Sequence, residues 1–278
     1  NIQCLCCEAQ DVFLAMRSLE GRLTAARASC YHSGLFPLAP GSPMDVLLAC
    51  FVVMIGAFVQ TAIGFGLAVI AAPILYFIDP YYVPAPITTC ALVLSVFNVY
   101  SYRGHVSFRG LGMAVIGRVP GSLLGAALLL WIDKEWLALW IGLSVLGAVA
   151  VSLSSLRWQP TPGRMLAAGF MSGFMGTSSS IGGPPMALLW QHQEVSLIRA
   201  NLAAFFIVGC LMSLVILAPL GQFGLRQIAL SIPLWPATFA GFLLAQWTMR
   251  QLPHRQLRLG SLALCTVSGV AAVLSFWF

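Results

Sequence analysis

Along the chain, apolar residues come in runs of about 18 or more, and the few charges collect between them. As helices, such runs match the ~30 Å hydrocarbon core of a bilayer. The pattern predicts spans over residues 44–78, 85–102, 110–132, 135–155, 165–190, 199–220, 227–249 and 257–278, about eight in all. The runs do not alternate apolar and polar positions, which argues against a β-barrel. The expected architecture is an all-α integral membrane protein. Connections such as DKE, GQFGLR and RQLPHRQLR are short, so no extramembrane domain large enough for catalysis is expected.

Two of these runs cannot be simple spans. Residues 44–78 carry no charge after Asp45, and a straight helix of about 35 residues would be ~52 Å long. It must tilt, break or turn back. The predicted break is QTAIGFG (60–66), with a further strain point at Pro73; DPYYVP (79–84) then supplies turn chemistry and interfacial tyrosines. The second run is GFMSGFMGTSSSIGGPPMALLWQ (169–191). Four hydroxyls stand in a row, Thr177, Ser178, Ser179 and Ser180, followed by Gly182, Gly183, Pro184 and Pro185. Proline lacks an N–H and disfavours helix just before it. In lipid, irregular backbone survives only where it is buried in protein or lines a wet cavity. This stretch is therefore a candidate site for a small polar solute; a kinked helix packed through its glycines is the alternative.

The two halves echo one another. IGFGLAV (63–69) matches IGGPPMA (181–187), with Gln60, Thr61 and Ala62 opposite Ser178, Ser179 and Ser180. RVPGSLLG (118–125) matches LWPATFAG (234–241), and GAVAV (147–151) matches GVAAV (269–273). The expected organisation is a peripheral or disordered segment 1–43, then two membrane repeats, 44–155 and 165–278, each with a broken helix. Corresponding interrupted segments in two halves point to a transporter site. A broken helix presents unpaired N–H groups and a positive dipole end. Two such ends facing each other can hold an anion, with glycines admitting the solute to the backbone and hydroxyls adding donors.

Composition sharpens this picture. The chain has 278 residues, 59% hydrophobic and 8% charged, against roughly 25% charged in a soluble domain. The net charge of +6 suits loop anchoring, and no nucleic-acid motif accompanies it. Lys and Arg divide evenly between the two sides, so orientation is not readable. Of the eight cysteines, Cys50, Cys90, Cys210 and Cys265 fall singly in or beside apolar runs as small hydrophobes. Cys4, Cys6, Cys7 and Cys30 lie in the N-terminal segment, where Asp11 is placed to cap a short helix. The Cys4–Cys7 spacing alone is weak evidence for metal. No cofactor and no metal is expected.

The break followed by proline in both halves resembles the TauE/SafE family of membrane anion transporters. The closest stretch is residues 169–191 followed by RANLAAFF (199–206), and the resemblance covers about residues 44–278. It implies export of sulfite or small organosulfonates such as sulfoacetate across the bacterial inner membrane. Family members often carry a run of glycines in the first half, where this chain has Gly64, Phe65 and Gly66.

The expected solute contacts are backbone approach at Gly64, Gly66, Gly182 and Gly183, and hydrogen bonds from Gln60, Thr61, Thr177, Ser178, Ser179 and Ser180. Arg118, the one cation inside an apolar run, adds charge if it faces a cavity, or snorkels to the headgroups if it does not. Asn98 and Asn201 donate to the solute or bond neighbouring helices; Arg199 faces the cavity mouth or anchors a loop. Trp131, Trp136, Trp140, Trp190 and Trp277 suit an aromatic belt. No carboxylate lies deep in a span, so neither a proton relay nor an activated serine is supported, and the chain is not read as an enzyme. The expected partners are a small anion and the lipid bilayer, with a homo-oligomer left open. The rivals to a sulfur-anion carrier working by alternating access are an anion channel and a transporter of another small carboxylate or oxyanion.

Overall fold

The computed structural model describes residues 42–107, 111–153, 159–190 and 193–249, with scattered positions between 263 and 273. The chain divides into two units, Asn1–Ala39 and Pro40–Phe278, and the described residues all belong to the second. The Asp11 cap, the N-terminal cysteines and most of the last expected span lie outside the described residues. Those described contain helices and no strand: α1 Pro43–Ile63, α2 Leu67–Ile78, α3 Ala85–Tyr102, α4 Leu111–Trp131, α5 Lys134–Leu153, α6 Pro162–Ser179, α7 Gly183–Trp190, α8 Val195–Leu217, α9 Leu225–Ser231 and α10 Leu234–Thr248.

Local chemistry sets the ends. At the start of α1, the Ser42 hydroxyl accepts the Asp45 N–H and the Asp45 carboxylate accepts the Ser42 N–H, with Pro43 in the first turn. This reciprocal cap satisfies two donors that a helix start leaves open. Twenty-one residues later the helix stops at Gly64, whose φ of 108° lies in the left-handed region. Gly66 follows at 134°, and α2 begins. Glycine is the residue that takes such angles without a Cβ penalty. The predicted first break is therefore present. Pro73 does not break the chain: α2 runs through it, with Val69 to Ala72 buried on either face of the helix. Packing holds the helix across the one hydrogen bond that proline cannot make.

The second break also falls where glycine and proline placed it. After α6 the backbone turns left-handed at Ser180, φ 64°, and resumes helix at Gly183. One interruption was not foreseen. The expected span 227–249 divides at Ile232 and Pro233 into α9 and α10. Pro233 and Pro236 each withhold an N–H, so two bonds of one turn are missing together.

Five stretches are long and apolar enough to cross a membrane by length and composition: Pro43–Ile63, Pro80–His105, Leu111–Trp131, Val195–Leu217 and Leu225–Thr248. Their outer faces expose Phe51, Leu123, Leu124, Leu130, Leu243 and Trp247, as a lipid-facing surface requires. The aromatic expectation holds only in part. Trp131 and Trp136 are exposed, but Trp190 is buried in a core cluster and Trp140 donates to Ser178 Oγ at 2.9 Å. An indole with a hydrogen-bond partner inside the bundle has no need of the interface.

Packing depends on small residues. Gly117, Gly121 and Gly125 of α4 recur every fourth position, and a Cβ on any of them would strike the backbone of Leu166, Phe170 or Phe174 in α6. Gly169 and Gly173 of α6 meet the backbone of Ala114 and Arg118 in return. Close backbone approach of this kind is how helices associate in lipid. Gly241 of α10 meets the Met54 carbonyl of α1 in the same manner.

Candidate functional site

Both breaks open onto one hollow. Gln60, Phe65, Gly66, Ala68 and Val69 line it from the first break, and Gly176, Ser180, Ile181, Gly182 and Gly183 from the second. Thr88 and Ala91 of α3, Arg118 of α4, and Phe206 and Cys210 of α8 complete the wall. Its volume is about 30 Å³, a few times the ~10–15 Å³ that one water needs on the same measure. A larger hollow of about 520 Å³ lies beyond α6 and α7. Its wall is mostly Ala, Met, Pro and Leu, with Gly147, Gly163 and Arg164, whose guanidinium donates to the Gln159 carbonyl at 3.3 Å; the smaller hollow is the one that both breaks line.

Arg118 is the charge of this hollow. It is 2% exposed, held in a slot that exists because Gly176 and Gly209 have no side chain: a Cβ on Gly209 would fall on the guanidinium. Nη1 donates to Ser172 Oγ at 2.9 Å, and the Ser172 hydroxyl donates to the Gly182 carbonyl. The serine thus ties the guanidinium to the second break. The Phe205 ring lies beneath, 5.0 Å from Cζ to centroid, a favourable face for a cation. The Nε atom is buried with no hydrogen-bond partner, and among the described residues no carboxylate pairs with Arg118. The snorkelling alternative is corrected by this burial.

The first break contributes a carboxamide. Gln60 Oε1 accepts the Leu67 N–H at 3.2 Å, capping α2 from within and leaving the Nε2 end as a donor. The N–H groups of Ala68 and Val69, both in the wall, stand in the first turn of α2, where the dipole favours an anion. At the second break the main chain offers less. Two of the first four residues of α7 are prolines, so fewer N–H groups point outward than at an ordinary helix start.

Hydroxyls supply the remainder. Ser180 Oγ donates to the Pro84 carbonyl at 2.8 Å, Thr88 Oγ1 reaches the same carbonyl at 2.9 Å, and the two hydroxyls are 3.0 Å apart. One proton satisfies that carbonyl. The other can turn into the hollow without leaving a buried acceptor unpaired.

Six of the eleven expected contacts are brought together here: Gln60, Gly66, Arg118, Ser180, Gly182 and Gly183. The other five lie elsewhere. Thr61 accepts from Asn98 Nδ2 at 3.5 Å, and Thr177 shares a proton with Ser213 of α8 at 2.8 Å. Ser178 and Ser179 donate to the Phe174 and Met175 carbonyls, because the helix continues through them and the hydroxyls bond back one turn. Gly64 packs beneath Leu202 and Ile198. Asn98 and Asn201 bond their neighbours, Leu94 and Ser107. Arg199 neither faces the mouth nor anchors a loop. It is buried, and Nε (3.0 Å) and Nη2 both donate to the Ala62 carbonyl at the end of α1.

Thr88, Ser172, Cys210 and Phe206 were not foreseen. Ser172 had a readable sign, since it sits among Gly169, Gly173 and Gly176 on the face where α6 meets α4. The others look like packing residues until the two breaks are placed together.

Apolar helices long enough to cross a bilayer, folded round a donor-lined hollow between two interrupted helices, define an integral membrane protein built as solute transporters are built. The family model of the sulfite exporter TauE/SafE matches residues 48–272, and the chain belongs to that family. No curated protein and no solved structure matches it.

Proposed function

We propose that the protein is a secondary transporter of about eight spans that exports a small sulfur-containing anion, sulfite or an organosulfonate such as sulfoacetate, across the bacterial inner membrane by alternating access. The observation that carries this is Arg118. A buried guanidinium with an unpartnered Nε and, among the described residues, no carboxylate is costly unless an anion completes it. The anion would sit between the breaks, held by Arg118, the Gln60 amide, the Ser180–Thr88 hydroxyls and the first amides of α2, with Gly66, Gly182 and Gly183 giving it access to the backbone.

Two repeats, 44–155 and 165–278, are supported by reciprocal contacts. The first break is clamped by Arg199 and Leu202 of α8, and the second by Pro84 and Thr88 at the start of α3. Carried on from the match of 63–69 with 181–187, α3 falls opposite α8, so on the repeat reading each half holds the break of the other. Gly125 and Gly241, also equivalents, each meet a carbonyl in the first helix of the opposite half. For a potential negative inside, moving one negative charge outward gains ~2.3 kcal/mol per 100 mV, so export needs no proton relay.

A thermal-shift panel on purified protein tests the proposal, comparing sulfite, sulfate, sulfoacetate, taurine and carboxylate analogues. Saturable stabilisation by a sulfur oxyanion is expected; stabilisation by carboxylates alone would move the substrate to another anion class. An anion channel through the same hollow is the second possibility, and flux linear in concentration would favour it.

A further inference from the structure

The wall of the hollow includes one bulky side chain that sits on the break itself. Phe65 lies between Gly64 and Gly66, whose φ angles are 108° and 134°. Both flanking positions have the wide conformational freedom of glycine, so the residue stands on a two-sided hinge. Its Cβ abuts the opposite break: a Cβ built on Gly183 would be 2.6 Å from Phe65 Cβ and 3.3 Å from Phe206 Cζ. Phe65 also packs against both apolar clusters of the bundle, one centred on α1 to α3 and α5, the other on α4 and α6 to α8. It is only partly buried, although Gly64 and Gly66 are buried.

We propose that Phe65 is the stopper of the hollow and sets the upper size of the solute. This rests on the transport function proposed above. The ring occupies the seam where the two breaks and the two clusters meet, and with it in place the space is about 30 Å³. That volume suits a compact oxyanion of a few heavy atoms. An organosulfonate with a carbon tail needs the ring to swing aside on its glycine hinge or to be removed. The charge selection by Arg118 is untouched by either change, so truncation at Phe65 enlarges the accepted solute without altering its sign.

Two readouts test this. In proteoliposomes, the sulfoacetate-to-sulfite flux ratio of Phe65→Ala should rise about tenfold, as expected when a pocket gains room for a methylene or two. Phe65→Leu, which keeps apolar bulk, should stay near the wild-type ratio. Independently, peptide mass spectrometry can follow modification of Cys210 in the same wall by an anionic methanethiosulfonate. The rate should rise about tenfold in Phe65→Ala and little in Phe65→Leu. An unchanged ratio with sulfite still moving would overturn the stopper, and so would equal Cys210 rates in wild type and Phe65→Ala. If neither anion moves in any variant, the proposed substrate fails, and the Cys210 rates alone decide the role of Phe65.

Discussion

Arg118 touches one hydroxyl and one aromatic face, and nothing among the described residues neutralises it. Replacing it by Gln should weaken sulfite binding ~10- to 100-fold, the size of a lost charge-assisted hydrogen bond of roughly 1.5–3 kcal/mol. Arg118→Lys keeps the charge but not the fork and should fall between, as titration calorimetry would show. A variant that bound sulfite as wild type does would remove Arg118 from the site. Gly183→Leu should abolish the sulfite-induced thermal shift while the protein still inserts and purifies as one species, since its Cβ would collide with Phe65. At this scale the sequence was partly legible. A lone cation in an apolar run stands out, as do glycines beside prolines. The four consecutive hydroxyls misled because a helix turns only some of its positions toward any one hollow: three bond neighbouring groups, and Ser180 alone, released by its left-handed backbone, reaches the wall.

Between residue and bundle, the breaks were readable because glycine and proline leave strong local marks, and both fell where those marks are. What holds a break open was not readable, since it comes from a distant helix. Arg199 is 137 positions from the Ala62 carbonyl it caps. Arg199→Gln should strip that carbonyl of its charged donor and cost about 1–3 kcal/mol, read as a lower melting temperature, with Arg199→Lys recovering part of the loss. Unchanged melting in Arg199→Gln would mean that the clamp contributes nothing. The division of the stretch 225–248 at Pro233 escaped prediction for a related reason: two prolines three apart act together, whereas Pro73 and Pro120 are each absorbed within a continuous helix.

For the whole molecule, α4 packs against α6 and α1 against α10, so helices far apart in sequence lie side by side. Apolar run lengths made the membrane class legible; this pairing was not, because every helix of such a bundle is apolar and composition does not say which neighbours which. If the hollow is worked by alternating access, outward sulfite flux should saturate with concentration and rise with an inside-negative potential in proteoliposomes loaded with sulfite. Flux that is indifferent to potential would argue that charge is compensated by a coupled ion.

The most direct measurement is counterflow of labelled sulfite into proteoliposomes preloaded with unlabelled sulfite, comparing wild type with Arg118→Gln. Wild-type protein should show saturable uptake stimulated by the internal anion, and the variant should show neither. Wild-type kinetics in Arg118→Gln would contradict an anion held between the two breaks by that guanidinium.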